Sequence, residues 1–387
     1  MFKRNHAGYS TQYDVVALSS KRFQFSPYRD RYPEEITYGL YSNRFYPLAV
    51  KDEDFLKDYW SLRESAMLYD VPEKPMEFVG PDALKLLEKL FARKISNLQP
   101  LRARYALACN HSGNVIMDGV LIRLSEDRFW YVKASGEFDS WVEANLRGFD
   151  VTYRDPASWV LQIQGPNSLE VLRRASDTGL PDEFGYFSAD WVSLADQRVL
   201  VSRTGWTGEK GFEVYSQPDT DHLKLWDHLM ASGDPLGLRF ASVGSMGIRR
   251  MEAGIFDNDV DLAPQSISPF GAGLGAFVDL EKPDFIGRDA LMMASHSLEL
   301  CGVVSDTNSL YAGVELRDSD RVVAKIVSGG WSPTLEKGIG YARFSAFLDR
   351  DKSWLGHRLI YADKEGCHRQ CLVTELPFFD KEKRLPR

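Results

Sequence analysis

The sequence lacks long hydrophobic runs and contains little cysteine. No uncharged apolar run of about 18 residues occurs, and the N-terminus has no apolar run of signal-peptide length. Neither a membrane-spanning segment nor a secretion signal is therefore predicted. The 387 residues include only four cysteines, too few for a disulfide-stabilised scaffold. The reducing cytoplasm is the expected location.

A dense block of basic residues is also absent. The chain has 47 Lys and Arg against 55 Asp and Glu, so its formal net charge is −8. Neutralising phosphate groups requires clustered positive charge. The composition therefore predicts no nucleic-acid partner.

Familiar motifs of hydrolases, nucleotide-binding proteins and metalloproteins are missing. The seven histidines form no HExxH pair, and no GxSxG motif is present. The glycine-rich segments 205–211 and 271–275 have the wrong context for a phosphate loop or a dinucleotide fingerprint. Cys367 and Cys371 flank His368, but no second ligand pair follows them. We therefore predict neither triad chemistry nor a metal site.

What the sequence does contain is typical of a globular protein with two or three domains. Residues 1–40 show no clear period and are predicted to form an irregular arm. Residues 41–290 mix helix and strand signals without a βαβ rhythm, which predicts an α+β region with antiparallel sheets; residues 58–71 are predicted to be helical. Residues 298–380 contain short strands and turns, which predict an all-β barrel or sandwich.

Two carboxylates occur within apolar strand patterns. Asp118 lies in NVIMDGVLIRL, and Glu213 lies in KGFEVYS. Burying an ionised carboxylate without partners costs several kcal/mol. Each residue is therefore either hydrogen-bonded for structural reasons or kept for use at a site. Tyr105, in RYALACN, belongs either to the core or to the same site.

Seven segments, in the same order, resemble the aminomethyltransferase family, which comprises the glycine-cleavage T-protein and its tetrahydrofolate-dependent demethylase relatives. Each segment is short, but together they span most of the chain. They are 78–87 (FVGPDALKLL), 104–118 (RYALACNHSGNVIMD), 161–166 (LQIQGP), 202–213 (SRTGWTGEKGFE), 251–261 (MEAG and DNDVD), 285–291 (FIGRDAL) and 329–335 (GGWSPTL).

The resemblance implies an α+β fold of several subdomains around a central folate-binding hole, in which residues 41–290 form two α+β subdomains and residues 298–380 form a C-terminal β-barrel. It also implies tetrahydrofolate as the one-carbon acceptor. Asp118 matches the carboxylate beside the reactive N5 of folate, and Tyr105 matches a tyrosine that lines this site. Glu213 matches the glutamate that pairs with the pterin ring. Trp206 lies where the T-protein has a tyrosine.

This chain departs from the T-protein pattern at several positions. Met117 replaces the first of two adjacent aspartates, and residues 245–247 replace a segment with a folate-contacting arginine. Arg249 and Arg250 do not align with that arginine, but they are the candidates to replace it, and we predict that Arg250 binds the cofactor. Lys133 lies near an asparagine of the family. These departures favour the demethylase members over the T-protein itself.

We therefore predict an enzyme that moves a methyl group from a small methylated donor to N5 of tetrahydrofolate. The donor is a sulfonium, an N-methyl compound or betaine, or a methoxy-aryl compound. Asp118 and Tyr105 are the predicted catalytic residues, and Glu213, Trp206 and Arg250 join them in binding the cofactor. The alternatives are an aminomethyltransferase that forms 5,10-methylenetetrahydrofolate and a folate-binding protein without catalysis. The oligomeric state is not predicted.

Overall fold

The computed structural model describes residues 22–136, 138–263, 266–345 and 353–387. The helices α1–α7, in chain order, are Phe55–Glu64, Ala83–Leu90, Phe138–Asn145, Ser168–Ala175, His222–Gly233, Gly244–Glu252 and Arg288–Met292. The strands β1–β20, in chain order, are Gln24–Phe25, Ile36–Tyr41, Arg44–Val50, Ala66–Val71, Lys74–Val79, Arg102–Cys109, Val115–Arg123, Arg128–Lys133, Thr152–Arg154, Val160–Gln164, Ala189–Leu194, Gln197–Ser202, Gly211–Tyr215, Leu238–Phe240, Leu300–Ser305, Glu315–Asp318, Arg321–Ser332, Lys337–Phe344, Arg358–Ala362 and His368–Thr374. Within the described ranges, no helix combines the length and the apolar character needed to cross a membrane.

The predicted irregular arm contains regular structure where it is described. Residues 1–21 of the arm lie outside the described ranges. Strands β1, β2 and β3 form a three-stranded sheet in the order β1-β3-β2. The β2–β3 hairpin turns at Ser42 and Asn43, whose φ angles are 50° and 63°. The expectation of irregular structure is thus corrected for β1 and β2, because pairing with β3 orders residues that show no local period. The predicted domain limits themselves stay predictions.

Two largely antiparallel sheets form the body of the molecule. The first has five strands in the order β6-β7-β8-β5-β9, and α2 and α3 pack against its core. The second has six strands in the order β11-β12-β13-β10-β4-β14, and α4 and α5 cover it. The helices pack through apolar residues at helical spacing, such as Leu86, Leu87 and Leu90 of α2. Strand β4 belongs to one sheet and β5 to the other, so the two residues between them lie at the junction of the sheets.

The helix predicted over residues 58–71 is wrong in its second half. Helix α1 ends at Glu64, and residues 66–71 form β4. All six residues of β4 are buried, because its two faces pack into two different apolar clusters while β10 and β14 pair with its two edges. A short apolar run that is buried on both faces cannot be told from a buried helix by its period alone. Helix α6, which the sequence did not indicate, packs against α1 and the barrel strands β17 and β18.

The C-terminal strands close into a barrel in the order β15-β18-β17-β16-β19-β20. The barrel has its own apolar core, which includes Val303, Ile326 and Val373. Helix α7 lies in the segment that leads to it. The mixed α and β body and the closed barrel confirm the predicted fold class.

Candidate active site

A central cavity of about 930 Å³ lies where the two sheets, the β2–β3 hairpin, α6 and the segment after the barrel meet. Its volume is within the range of small-molecule and cofactor sites. Four of the five predicted site residues line this cavity: Tyr105, Asp118, Trp206 and Glu213. The fold therefore brings these four side chains together, although Tyr105 and Asp118 lie on one sheet, Glu213 lies on the other, and Trp206 lies in the loop between β12 and β13.

Tyr105 and Asp118 form a buried hydrogen-bonded pair. The β6–β7 register places Leu107 opposite Asp118, so Tyr105 is a diagonal neighbour of Asp118 on the same face. The Tyr105 hydroxyl donates to Oδ2 of Asp118 at 2.8 Å. The second oxygen, Oδ1, is buried and has no hydrogen-bond partner among the described residues. Asp118 lines the cavity, so its carboxyl group lies next to any ligand that binds there.

Burial raises the pKa of Asp118 to about 6. The hydrogen bond from Tyr105 lowers this pKa, and the nearby charge of Asp257 raises it. Burial and the charge of Asp118 hold the pKa of Tyr105 well above its usual value. At neutral pH the pair therefore consists mainly of an ionised carboxylate and a phenol that remains a donor.

Glu213 is held by donors from its own strand and from both neighbouring strands. The register places Gln162 of β10 on one side and Ser202 of β12 on the other. Oε1 accepts from Nε2 of Gln162 at 2.7 Å. Oε2 accepts from the hydroxyl groups of Tyr215 at 2.6 Å, of Ser202 at 3.4 Å and of Thr204. Burial raises the pKa of Glu213, and these four donors oppose the rise.

Trp206 forms part of the cavity wall. Its indole Nε1 donates to the backbone oxygen of Phe256 at 3.2 Å, which fixes the orientation of the ring. The guanidinium carbon of Arg250 lies 5.2 Å from the centre of the ring. Trp206 is thus placed to offer a flat apolar surface to a ligand.

Arg250 does not line the cavity, and its side chain is fully buried. Nη1 forms an ion pair with Asp261 and donates to the backbone oxygen of Ile255 at 3.1 Å. Nη2 donates to Oγ of Ser328 at 3.1 Å, which joins α6 to the barrel. This position does not support the predicted direct contact with folate, because the guanidinium is used within the protein.

Two of the departures from the family pattern also line the cavity. Met246, at the position of the family arginine, is 2% exposed, so this part of the wall is apolar. Lys133 is buried, and its Nζ donates to the backbone oxygens of Ala134 and Gly136 at 3.4 and 3.2 Å. Met117 packs in the core of the five-stranded sheet.

Among the cavity residues that sequence reasoning did not single out are Tyr41, Glu73 and Asp257. Tyr41 lies at the end of β2, Glu73 lies between β4 and β5, and Asp257 follows α6. Burial raises the pKa of Asp257 to about 6. The available signal for Glu73 was a carboxylate between two apolar strands, but the helix prediction over 58–71 hid that junction.

No group of three or more His, Cys, Asp or Glu residues within the described ranges is arranged to hold a metal ion. The segment that contains His368 forms the start of β20. Cys367 is exposed whereas Cys371 is buried.

Comparisons with known proteins identify the family of this chain. The model of the GCVT N-terminal domain family matches residues 35–282. The aminomethyltransferase of Caldanaerobacter subterraneus is 31% identical over 324 residues, which are 81% of this chain and 84% of that protein. The aminomethyltransferase of Clostridium botulinum (strain Kyoto) is 32% identical over 311 residues, which are 77% of this chain and 83% of that protein.

A solved structure shares the fold. The glycine cleavage system aminomethyltransferase T from Bartonella henselae matches with a TM-score of 0.77 and 23% identity, over 89% of this chain and 94% of that chain. The family match and the relatives confirm the predicted enzyme class and the predicted cofactor. The chain therefore belongs to the aminomethyltransferase family, whose members are tetrahydrofolate-dependent one-carbon transferases.

Proposed function

We propose that this protein transfers a one-carbon group from a cationic donor to N5 of tetrahydrofolate. The observation that carries the proposal is the buried Tyr105–Asp118 pair, in which Oδ1 of Asp118 has no partner among the described residues. Tetrahydrofolate supplies the nucleophile, the lone pair on N5. The unpartnered buried oxygen supports a ligand that carries a proton or a positive charge beside Asp118.

The residues that line the cavity fit a reduced pterin. Trp206 and Tyr41 offer aromatic surface to a flat ring, and Oε1 of Glu213 can accept an N–H from the edge of the ring. Met246 adds an apolar surface that excludes water. These side chains would hold the ring with its reactive edge towards Asp118.

The chemical role of the chain is to position the reacting groups and to move one proton. As the new bond between N5 and the carbon forms, the bond from the carbon to the leaving atom breaks, and its electron pair stays on the leaving atom. Methyl transfer is then complete. In aminomethyl transfer the first leaving atom is the nitrogen, which departs as ammonia; N10 then displaces the sulfur from the same carbon, and the thiolate takes the proton that N10 loses. Oδ1 of Asp118 accepts the proton that N5 loses. Tyr105 holds Oδ2 and thereby fixes the direction of Oδ1. No covalent enzyme intermediate is required, so alignment and exclusion of water provide the rate enhancement.

The charge of the cavity supports a cationic donor. Asp118 and Asp257 both line it, and the charge of Asp257 acts on Asp118. Two neighbouring carboxylates favour a positively charged group beside them. A cationic donor also leaves as a neutral molecule, which is favourable in a buried site.

The names of the relatives support an aminomethyl group as the group that is transferred. This was the alternative at the sequence level, and the methyl-transfer hypothesis is not confirmed by these relatives. Methyl transfer remains the second candidate, because the cavity is lined by segments from near both ends of the described chain. Tyr41 and Tyr46 come from the hairpin, and Leu376 and Lys383 follow the barrel. This enclosure favours a small free donor over a group on a long carrier arm.

The test is the identity of the folate product. The full chain is incubated with tetrahydrofolate and, in separate reactions, with an aminomethyl-loaded lipoylated carrier, a sulfonium, a betaine, an N-methyl amine and a methoxy-aryl acid. Chromatography of the folates should show 5,10-methylenetetrahydrofolate for aminomethyl transfer or 5-methyltetrahydrofolate for methyl transfer. If none of these donors gives either product, the proposed function is contradicted.

The pH dependence of the reaction should follow Asp118. Because its pKa is about 6 and the ionised form accepts the proton, kcat/KM is expected to rise with pH, with a midpoint about 6. Tyr105→Phe removes the hydrogen bond that lowers this pKa, so the midpoint should move up. Asp257→Asn removes a charge that raises it, so the midpoint should move down.

Initial rates between pH 5 and 8 would measure these midpoints. Asp289→Asn is the matched control, because the Asp289 side chain is 99% exposed, and it should leave the midpoint unchanged. A midpoint that does not move, or that moves in the same direction in Tyr105→Phe and Asp257→Asn, would argue against Asp118 as the titrating group.

A further inference from the structure

Glu73 occupies a position in the cavity to which the proposed mechanism assigns no role. It lies in the short link between β4 and β5, where the chain passes from one sheet to the other. Nη1 of Arg44 donates to its backbone oxygen at 2.8 Å, which anchors this link. The side chain lines the cavity, and its Oε2 atom is buried without a hydrogen-bond partner among the described residues. A buried carboxyl oxygen of this kind calls for a ligand or another explanation.

Glu213, the predicted partner of the pterin ring, cannot satisfy the whole edge of that ring. Three hydroxyl donors already surround its Oε2 atom, so only Oε1 retains clear capacity to accept a further bond. The amide-like edge of a pterin carries N–H donors and also a carbonyl oxygen, which needs a donor. Within the cavity, a second polar group close to Glu213 is therefore required. Glu73 meets this description, because it lines the same cavity and the charge of Glu213 raises the pKa of its carboxyl group.

We infer that Glu73 is a second pterin-binding residue, whose neutral carboxyl group donates its O–H to the carbonyl oxygen of the ring while Glu213 accepts an N–H. This inference rests on the proposed binding of tetrahydrofolate in the cavity. It assigns the two carboxyl groups opposite roles, one as donor and one as acceptor. Such a division lets two acidic residues lie side by side without two adjacent negative charges.

The surroundings of Glu73 favour the neutral form. Burial, followed by the charge of Glu213, raises the pKa of Glu73 to about 8. Asp70 on β4 raises this pKa further, and Arg44 on β3 lowers it. The charge of Glu73 in turn contributes to raising the pKa values of Tyr41 on β2 and Tyr215 on β13. Both pKa values lie well above the usual range, so both tyrosines keep their protons. Below about pH 8, Glu73 therefore offers an O–H to a ligand.

The experiment measures the binding of 5-methyltetrahydrofolate to the full chain at pH 6.5 to 9.5. Tryptophan fluorescence is the readout, because Trp206 lines the site, and calorimetry provides the affinity. In the wild type, affinity should fall about tenfold per pH unit above about 8, as the donor proton is lost. Glu73→Gln keeps an N–H donor, so it should bind within about threefold of wild type at pH 7 and lose this pH dependence. Glu73→Ala should bind about tenfold or more weakly at pH 7.

The outcomes separate this inference from the proposed function. Wild-type protein that does not bind 5-methyltetrahydrofolate would contradict the proposed function itself. Wild-type binding with unchanged affinity in Glu73→Ala, or with the same pH dependence in Glu73→Gln, would overturn only the role of Glu73. Glu315→Gln is the matched control, because Glu315 lies on the barrel with a side chain that is 53% exposed, and it should behave as wild type. If Glu73→Ala does not fold, the pH dependence of Glu73→Gln still decides the question.

Discussion

Replacement of Asp118 with asparagine is expected to lower kcat by about 10²–10⁴-fold while folate still binds. The amide has nearly the same shape as the carboxylate and can still accept the hydrogen bond from Tyr105. It cannot take the proton that leaves N5, and it removes the negative charge beside the donor. Steady-state assays of the folate product, together with calorimetry of folate binding, would separate the loss of kcat from the loss of affinity.

Two variants delimit this result. Tyr105→Phe should lower kcat less than Asp118→Asn, because the carboxylate remains and loses only the group that orients it. Asp289→Asn makes the same chemical change at an exposed position on α7 and should leave kcat unchanged. An Asp118→Asn enzyme with wild-type kcat would exclude proton transfer to Asp118 from the rate-determining step.

Replacement of Arg250 with methionine is expected to lower the free energy of unfolding by about 3–5 kcal/mol. Both side chains of the Arg250–Asp261 pair are fully buried, so the variant leaves the carboxylate of Asp261 without its cation. Ser328 on the barrel also loses the hydrogen bond that Arg250 donates to it. Urea denaturation followed by tryptophan fluorescence would measure the change.

A double variant tests the cause of this effect. Arg250→Met combined with Asp261→Asn should be more stable than Arg250→Met alone, because no unpaired charge then remains buried. The comparison also tests the sequence prediction that Arg250 binds the cofactor. If Arg250→Met unfolds like wild type but no longer binds folate, Arg250 would be a direct ligand after all.

The fold could be predicted in class but not in every element. The strand signals of residues 298–380 and the amphipathic pattern of α2 depend on local spacing, and the structure contains both the barrel and the helix. Strand β4 was misread as helix because its six buried residues have no polar face to set a period. Strand β2 was missed because its partner lies in β3, beyond a turn with two residues of positive φ.

The candidate site, like the fold, was predicted only in part. Asp118 and Glu213 stood out in the sequence because a carboxylate in an apolar strand requires partners, and Tyr105 and Trp206 were added by resemblance. All four line one cavity. Glu73 lines the same cavity but was not predicted, because the helix predicted over residues 58–71 hid the junction of the two sheets at which Glu73 lies.

The sequence by itself determined the class of fold, the family and the residue types at the centre of the site, because composition, strand spacing and short motifs are local properties. Only the tertiary structure decided what each side chain contacts. It placed Arg250 in a buried pair with Asp261, it surrounded one oxygen of Glu213 with three donors, and it left single oxygens of Asp118 and Glu73 open. These assignments depend on which strands lie side by side, and strand pairing is set by packing across the whole chain.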